Sequence, residues 1–445
     1  MMLACNHDSP QVGSPVCEHL RIAQEGEMPY VKWYIESGLD TELLCLTCAE
    51  KRSQGLSVDV SNVCEHCFEH ITKEIGYQER IGGKPEIRIR PEPFKTSLKT
   101  TSLPKQVGAV LDIAPVNYSS QSVWMMLTHN GDVFRFNADT GHYAQVARSS
   151  VPAEPEPGWM NALRQRLHVS KRGEFIAVVN DYGRYGQIID VRTGKVTLNL
   201  DGGDYHPETV PLSFVFAEVS TGVIAIHRTA WNRLDFSNPA SGSLLSERAL
   251  IFQSHEKQPE HHLDYFHGAL HVNPSCTRIV DDGWIWAPVG VPQTWSLDRW
   301  FSENVWESED GPSKRDICAR HYYWDRPITW LDDTKVAIAG IGDDDADMID
   351  GARVFDVTAS GRPSPVMRSD WEWALEVTAF AGPAGRFFSD GISLFSANKE
   401  GLSRWCVEDG AVTGHLPHFE PTHHHRGAGE LVQLSETVLM RFVIE

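Results

Sequence analysis

The chain has 445 residues, of which 41% are hydrophobic and 10% aromatic, and its acidic residues outnumber the basic ones by 60 to 40. This length allows about two to four average domains, or one large β-domain with an appendage. The formal charge of −20 repels phosphate backbones, so we expect no nucleic-acid partner. The sequence has no apolar run of about 18 residues and no secretory signal at its start. We therefore expect no membrane association and a cytoplasmic location.

The first part of the chain is rich in cysteine. Six of the nine cysteines lie within the first 67 residues. Together with two histidines they form the pairs Cys5-x-His7, Cys17-x-His19, Cys45-x2-Cys48 and Cys64-x2-Cys67. Closely spaced cysteines in a chain without a secretory signal favour thiolate–metal chemistry in a reducing compartment over disulfides.

The spacing of the last two pairs is typical of a zinc site. Cys48 and Cys64 are separated by fifteen residues, and two turns of this kind close a tetrahedron around one ion. The first two pairs supply the ligands of a second site, or the four pairs cross over so that the first and third share an ion. Because every ligand is Cys or His, we predict one or two closed, structural zinc ions.

These pairs lie in two short motifs, CEHL at residues 17–20 and ELLCLTCAE at residues 42–50. The module resembles small zinc-binding domains of the ribbon, treble-clef or ubiquitin-carboxyl-hydrolase-type finger classes. Further along, the ligand spacing departs from the last class, so ubiquitin binding is not carried over. The glycines and proline of residues 82–85 are typical of a linker between domains. We assign residues 1–83 to a zinc-binding module and residues 84–445 to a second domain.

The second domain repeats one short pattern, an alternating strand that runs into an Asx/Gly turn. It is clearest in GDVFRFNADTG at residues 131–141 and recurs at residues 185–194, 233–242, 352–361 and 401–410. A strand and turn repeated at this interval are typical of a radial β-repeat. The repeat resembles WD40-like or quinoprotein-like β-propellers, which implies a mainly β fold whose function lies in loops around a central channel. Strand rhythm also allows a pair of β-sandwiches.

In chain order the pattern predicts six units of four strands each, except for an irregular fourth unit with three. They span residues 108–147, 166–200, 212–247, 269–297, 328–367 and 376–416, with a partly helical insertion at residues 298–324. Two further strands are predicted at residues 430–434 and 437–444. Residues 86–90 and 93–103 would complete their sheet, because closing the ring removes exposed strand edges. The sequence therefore predicts a seven-bladed β-propeller.

Several loops of the predicted units are rich in aromatic and charged residues, and we expect them to converge. They are residues 180–187, 227–235, 281–286, 321–326, 342–351 and 421–429. The predicted acid/base groups are His227, Asp181 and Asp282, and the predicted ligand-binding residues are Arg184, Arg228, Trp231, Asp344, His423 and His425. A cation site at Asp343–Asp345 with Asp347, or at His423 with His425, is a further alternative.

The sequence favours an interaction scaffold that binds a protein or peptide partner. The alternative is a metal-assisted hydrolase or lyase with its site in the central funnel, and a small-molecule sensor is a third hypothesis. A P-loop, a nucleophile elbow, a dinucleotide fingerprint and an HExxH helix are all missing from the sequence.

Overall fold

A computed structural model describes most of the chain. The described residues are 15–22, 30–34, 41–64, 67, 71, 87–90, 92, 94–95, 98–118, 120–156, 162–249, 260–362 and 372–444.

Within its described residues, the N-terminal module contains a small sheet and two helices whose bounds are defined. Its elements are β1 (Val16–Cys17), α1 (Glu18–Ile22), β2 (Tyr30–Tyr34), β3 (Thr41–Cys45), α2 (Leu46–Ser53) and β4 (Val60–Ser61). The strand order is β2-β3-β1-β4, in which β1 pairs with β3 in parallel. The core includes Val16, Leu20, Leu43 and Leu44. A partly buried ion pair between Arg52 and Glu42 joins the helix to the sheet.

The next strand, β5 (Lys99–Ser102), belongs to the last sheet of the chain. Three antiparallel sheets then follow in sequence order. Sheet A contains β6 (Val110–Pro115), β7 (Val123–Thr128), β8 (Asp132–Asn137) and β9 (Tyr143–Arg148). Sheet B contains β10 (Arg164–Val169), β11 (Phe175–Asp181), β12 (Tyr185–Asp190) and β13 (Lys195–Asp201). Sheet C contains β14 (Phe214–Val219), β15 (Gly222–Ala230) and β16 (Arg233–Ser237), and its fourth position is held by a single bridge from Ser237 to Leu244.

Sheet D is ten-stranded and consists of two groups joined by the parallel pair β21–β26. Its elements are β17 (Phe266–Val272), β18 (Arg278–Ile285), β19 (Val289–Gly290), β20 (Gln293–Ser296), α3 (Leu297–Ser302), α4 (Glu307–Asp310), β21 (Arg315–Asp316), β22 (Arg320–His321), β23 (Ile328–Trp330), β24 (Lys335–Ile341), β25 (Ile349–Ser360) and β26 (Glu372–Ala381). Short 3₁₀ turns occur at Lys105–Val107, Pro207–Thr209 and Asp345–Asp347.

Two more sheets complete the chain. Sheet E contains β27 (Arg386–Ser389), β28 (Ser393–Asn398), β29 (Gly401–Cys406) and β30 (Val412–Pro417). Sheet F contains β31 (His423–His425), β32 (Glu430–Leu434) and β33 (Val438–Val443), and β5 is its outer strand. The end of the chain is thus paired with a strand from its first quarter.

Separate hydrophobic clusters fill the seams between successive sheets. Phe214 joins sheets B and C, Trp295 joins sheets C and D, and Phe419 lies between sheets E and F. The seam between the last and first sheets is built in the same way, from Val432 and Leu439 against Trp124 of sheet A. Because the last sheet packs on the first, the series closes into a ring.

The strand order fixes which loops share an end of this ring. In each antiparallel sheet the turn between the second and third strands lies at the same end as the link to the next sheet. We call this the linker end, and the end with the other turns the opposite end. The first strands of neighbouring sheets contact one another along the series, so they line the centre of the ring.

The recurring turns have the predicted local chemistry. Asn137 Oδ1 accepts hydrogen bonds from the N–H groups of Asp139 and Thr140, and Gly141 has φ 75°. Asp190 forms the same turn before Gly194 in sheet B. Each side chain replaces a missing backbone partner, and the glycine takes the left-handed conformation at no steric cost.

The predicted strands of sheets A and B lie within a few residues of those observed. Two assignments further along differ, and a third is untested. Glu372–Ala381 closes sheet D, whereas the sequence predicted it to open the next unit. The single strand predicted over residues 386–395 is two strands, because Asp390 accepts from the N–H groups of Ile392 and Ser393 to form a turn. The predicted strand at residues 365–367 lies outside the described residues.

The closing sheet also differs in detail from the predicted composite. Lys99–Ser102 pairs with Val438–Val443, but Ile89 forms a parallel bridge to Val412 of sheet E. The remaining strand of sheet F is His423–His425, which the sequence pattern assigned to a loop.

Candidate metal centre and linker-end site

Two of the predicted ligand pairs meet in the N-terminal module. Ligand atoms of Cys17, His19, Cys45 and Cys48 all lie within 4.8 Å of one another. His19 Nδ1 is 3.1 Å from Cys48 Sγ and 3.7 Å from Cys45 Sγ. The three cysteines are buried and His19 is exposed, so the group lies at the edge of the module core.

The backbone explains why these pairs meet. Each pair follows directly on a strand, Cys17 at the end of β1 and Cys45 at the end of β3, and each strand is succeeded by a short helix. Because β1 and β3 are parallel, their carboxyl ends lie at the same edge of the sheet. The backbone N–H of Cys45 also donates to Cys17 Sγ, at 3.3 Å.

The donor set and the spacing suit a tetrahedral ion. Zn–S bonds of about 2.3 Å and Zn–N bonds of about 2.05 Å place sulfur and nitrogen ligands about 3.6 Å apart. Burial, followed by a hydrogen bond with Cys45, raises the pKa of Cys48 to about 12. A dication reverses this preference, because a coordinating thiol is deprotonated. The group could therefore hold a metal ion with no coordination position left open.

This combination of pairs differs from those expected from spacing. Among the described residues, Cys45 and Cys48 join Cys17 and His19 and not Cys64 and Cys67. Cys64 is buried and Cys67 packs against the module core. Cys5 and His7 lie outside the described residues. Sequence spacing identified which cysteines and histidines are candidate ligands. The parallel pairing of β1 with β3 determines that the second and third pairs come together.

A second concentration of functional groups lies at the linker end of the ring. Contacts connect most of the loops expected to converge. Trp284 of the 281–286 loop stacks on Trp324 with ring centroids 4.9 Å apart. Arg228 donates to the carbonyl of Gly183, and the Tyr182 hydroxyl donates to Asp325. The N–H of His321 donates to the carbonyl of Asp343.

The predicted acid/base groups are all buried. Asp181 is paired with Arg166 at 2.7 Å and Arg164 at 3.2 Å, and burial raises the pKa of Asp181. Asp282 accepts from the backbone N–H of Arg326, and burial, then the charge of Asp325, raises the pKa of Asp282 to about 8.

His227 makes a hydrogen bond to Ser237 on the neighbouring strand, and burial lowers the pKa of His227. The three predicted acid/base groups therefore have partners within the fold.

Several of the predicted ligand-binding residues contact other residues of the fold. Arg184 pairs with Asp201, and Asp344 accepts from the N–H of Ala346. Arg228 is buried, which lowers the pKa of Arg228 to about 10. Trp231 packs on Phe266 with ring centroids 4.6 Å apart.

The histidine segment forms the inner strand of sheet F. His423 Nε2 lies 3.0 Å from Asp112 of sheet A, and His425 is hydrogen-bonded to the carbonyl of Val123. Both rings contact Trp124, as expected for alternate residues of one strand. Within the described part of the chain, the residues arranged to hold a metal ion include neither His423 nor His425. They also include none of the acids of residues 342–351.

Two groups of residues escaped the sequence reasoning. The first strands of sheets B and D carry His168 and His271, and burial lowers the pKa values of these histidines to about 3 and 4, as it lowers that of His424 in the predicted segment 421–429 to about 3. Tyr205 and His206 lie in the link from sheet B to sheet C, which the strand pattern treated as a plain connection. The sequence did contain a signal: Tyr205, His206 and Trp231 all fall in connections at the linker end, the first two in the link from sheet B to sheet C and Trp231 in the turn between β15 and β16.

Backbone strain is concentrated at the linker end. Tyr182, His206, Tyr322 and Asp325 have φ values of 60°, 47°, 55° and 51°. Left-handed conformations of residues other than glycine are uncommon and cluster at functional sites. In the same region Asp282 Oδ1 and Arg320 Nη2 are buried without a hydrogen-bond partner among the described residues. These observations make the linker end the candidate functional end of the ring.

The closed series of antiparallel sheets defines a protein of the β-propeller class. No protein-family model and no curated protein matches the chain. A chain in the crystal structure of the mitotic checkpoint complex is similar, with a TM-score of 0.44, 11% identity, and coverage of 84% of this chain and 98% of that chain. The C-terminal WD40 domain of Sif2 gives 0.43 and 12%, with coverage of 81% and 99%. Similarity at this level carries no argument about function. Among the described residues no helix is long and apolar enough to cross a membrane.

Proposed function

We propose that the protein is an interaction scaffold in which a zinc-folded N-terminal module accompanies a seven-bladed, WD40-like propeller. Counting the two groups of sheet D as separate blades gives the seven. The propeller binds a protein or peptide partner at its linker end, and the domain boundary lies near residue 84. The acidic charge of the chain argues against nucleic acid or membrane as the partner.

One observation carries the proposal, the set of exposed aromatic side chains at the linker end. Tyr205 is 45%, Trp286 48% and Tyr322 60% exposed, although large aromatic groups are normally covered. We call Tyr205, His206, Trp286 and Tyr322 the aromatic patch. His206 packs on Trp286 with ring centroids 5.3 Å apart, and the N–H of Tyr322 bonds to the loop that follows Trp286. Aromatic residues of this kind dominate the binding energy of protein interfaces.

Zinc is the ion proposed for the Cys17, His19, Cys45 and Cys48 group, with a structural role. The ion stabilises a module whose own core is small. Dependence on reduced thiols favours a cytoplasmic location.

The binding proposal is tested by selecting peptides from a displayed random library on the purified full-length protein. The variant Trp286→Ala removes the most exposed indole of the patch. The matched control is Tyr118→Ala, which removes an aromatic side chain that is 61% exposed in a first-to-second strand turn at the opposite end. We expect selected peptides to lose at least about 10-fold in affinity with Trp286→Ala and to bind the control normally. A selection that yields no Trp286-dependent peptide refutes the proposal.

A further inference from the structure

The aromatic patch has a geometry suited to a positive charge. The rings of Tyr205 and Trp286 have centroids 6.4 Å apart and lie at 78° to each other. At this separation one cation can lie within about 6 Å of both centroids, the range in which ring quadrupoles attract cations. Tyr205 is further supported from behind by Phe266, stacked at 5.8 Å, so its position is fixed before any ligand arrives.

Two acidic residues lie close to residues of the patch along the backbone. Asp204 is exposed beside Tyr205, and Asp344 forms a backbone bridge with His321, the residue before Tyr322. Among the described residues neither acid has a salt-bridge partner within 4.0 Å. The nearby arginines are already occupied, since Arg184 pairs with Asp201 and Arg326 with Asp345.

The rest of the chain adds to this field. The net charge of −20 attracts cationic partners and repels anionic ones over distances of about a Debye length, near 8 Å at physiological salt. All three features favour a positively charged ligand: the exposed aromatic rings, the adjacent carboxylates outside any salt bridge, and the negative overall field. A long basic side chain satisfies them together, because its apolar stem covers the rings while its charge faces the acids.

We propose that the partner presents a basic segment, and that an arginine or lysine of this segment is held in the corner between Tyr205 and Trp286, with Asp204 and Asp344 completing its charge. This inference rests on the proposed binding at the linker end and names the chemistry of the partner.

The same peptide selection tests the inference, with charge variants added. Asp204→Asn and Asp344→Asn keep the shape of each side chain, and the amide oxygen of the second variant can still accept from the N–H of Ala346. The matched control is Glu174→Gln, an exposed acid in a first-to-second strand turn at the opposite end. Peptide affinity is measured by fluorescence anisotropy at low and high salt, and replacing each basic peptide residue by Gln locates the anchor.

We expect the selected peptides to be enriched in Arg and Lys, and one Gln replacement to weaken binding about 10-fold. Each Asp→Asn variant weakens binding about threefold at low salt, and the difference shrinks as salt screens it. Glu174→Gln leaves the affinity unchanged. Wild-type protein stays monomeric at the same concentrations in sedimentation.

The opposite results separate the two proposals. Peptides that depend on Trp286 but are neutral or acidic, or that ignore both Asp→Asn variants, overturn the basic partner and leave the binding proposal standing. Self-association that Trp286→Ala abolishes reassigns the patch to a second copy of the chain. A selection with no Trp286-dependent peptide overturns both proposals.

Discussion

The seam between the last and first sheets contains a buried ionic group that we expect to control closure of the ring. Arg441 of sheet F makes two hydrogen bonds to Glu430, at 2.6 and 3.1 Å. It also reaches sheet A, where it donates to Asp139 at 2.6 Å and to the carbonyl of Ala138 at 3.0 Å. Glu430 in turn accepts from Ser122 of sheet A at 2.7 Å. One guanidinium therefore joins both sides of the seam.

The substitution Arg441→Met keeps most of the side-chain volume and removes the charge. The Arg441–Glu430 attraction at 2.6 Å is about 6 kcal/mol at an effective dielectric of about 20, before desolvation is subtracted. Both side chains are about 95% buried, so the variant leaves the Glu430 carboxylate out of water, with Ser122 as its one remaining hydrogen-bond donor among the described residues. Breaking a buried pair in this way typically costs about 3–5 kcal/mol. We expect the free energy of unfolding to fall by that amount.

The second variant combines Arg441→Met with Glu430→Gln, which removes the stranded charge and keeps an acceptor for Ser122. It should recover most of the loss, because replacing both members of a buried pair is far less costly than removing one. The matched control is Arg192→Met, since Arg192 is a largely exposed arginine 3.7 Å from Asp190. We expect a change below about 0.5 kcal/mol there.

Urea unfolding followed by tryptophan fluorescence measures all four proteins, and circular dichroism in the absence of urea verifies that each variant folds. If Arg441→Met changes stability by no more than the control does, the ionic group does not stabilise the closing seam. If the double variant is no more stable than the single one, the stranded carboxylate is not the cause of the loss.

Four further predictions follow from named groups. Cys48→Ser should lower the zinc content by one ion per chain, as measured by elemental analysis, whereas His423→Ala should leave it unchanged; equal zinc in Cys48→Ser and wild type contradicts the metal centre. Thr101→Pro should lower stability by about 3 kcal/mol or more, because the Leu103 N–H donates to the carbonyl of Thr437, so the N–H of Thr101, opposite Leu439, also faces β33 and proline removes this ladder donor; unchanged thermal unfolding argues against closure by this strand. Because the pKa of Asp282 is raised to about 8, the folded protein holds this proton while the unfolded chain loses it near pH 4, so the contribution of Asp282 to stability falls as pH rises from 4 to 8. Asp282→Asn should therefore gain on wild type across that window in unfolding experiments, and a pH-independent difference contradicts it. The lowered pKa of His168 has the opposite sign: stability is lost as pH falls below about 6.5, and His168→Gln should lessen that loss, whereas identical acid unfolding of the two proteins contradicts it.

The repeated strand-and-turn unit was predictable because its cause is local. Asn137, Asp190 and Asn238 each bond to backbone N–H groups two and three residues ahead, and a glycine follows in the left-handed conformation. Side-chain chemistry over five residues determines this turn, so the sequence alone identifies it. Local chemistry also revealed the ligand types of the metal centre.

Assignment of strands to sheets depended on packing that a linear pattern does not contain. Glu372–Ala381 has a strand pattern in either sheet, and pairing with Ile349–Ser360 decides its membership. His423–His425 resembled a polar loop, but its histidines are stabilised in a strand by Asp112 and Trp124 of sheet A. These contacts join residues about 300 positions apart.

By itself the sequence determined a mainly β chain, with recurring turns and a cysteine-rich beginning rich in metal-ligand pairs, because these properties depend on residues a few positions apart. Only the tertiary structure decided that Cys17 and His19 face Cys45 and Cys48, since this requires two strands to run in parallel. It likewise brought Tyr205 to Trp286, because two loops from successive sheets share an end of the ring only when the sheets pack in order.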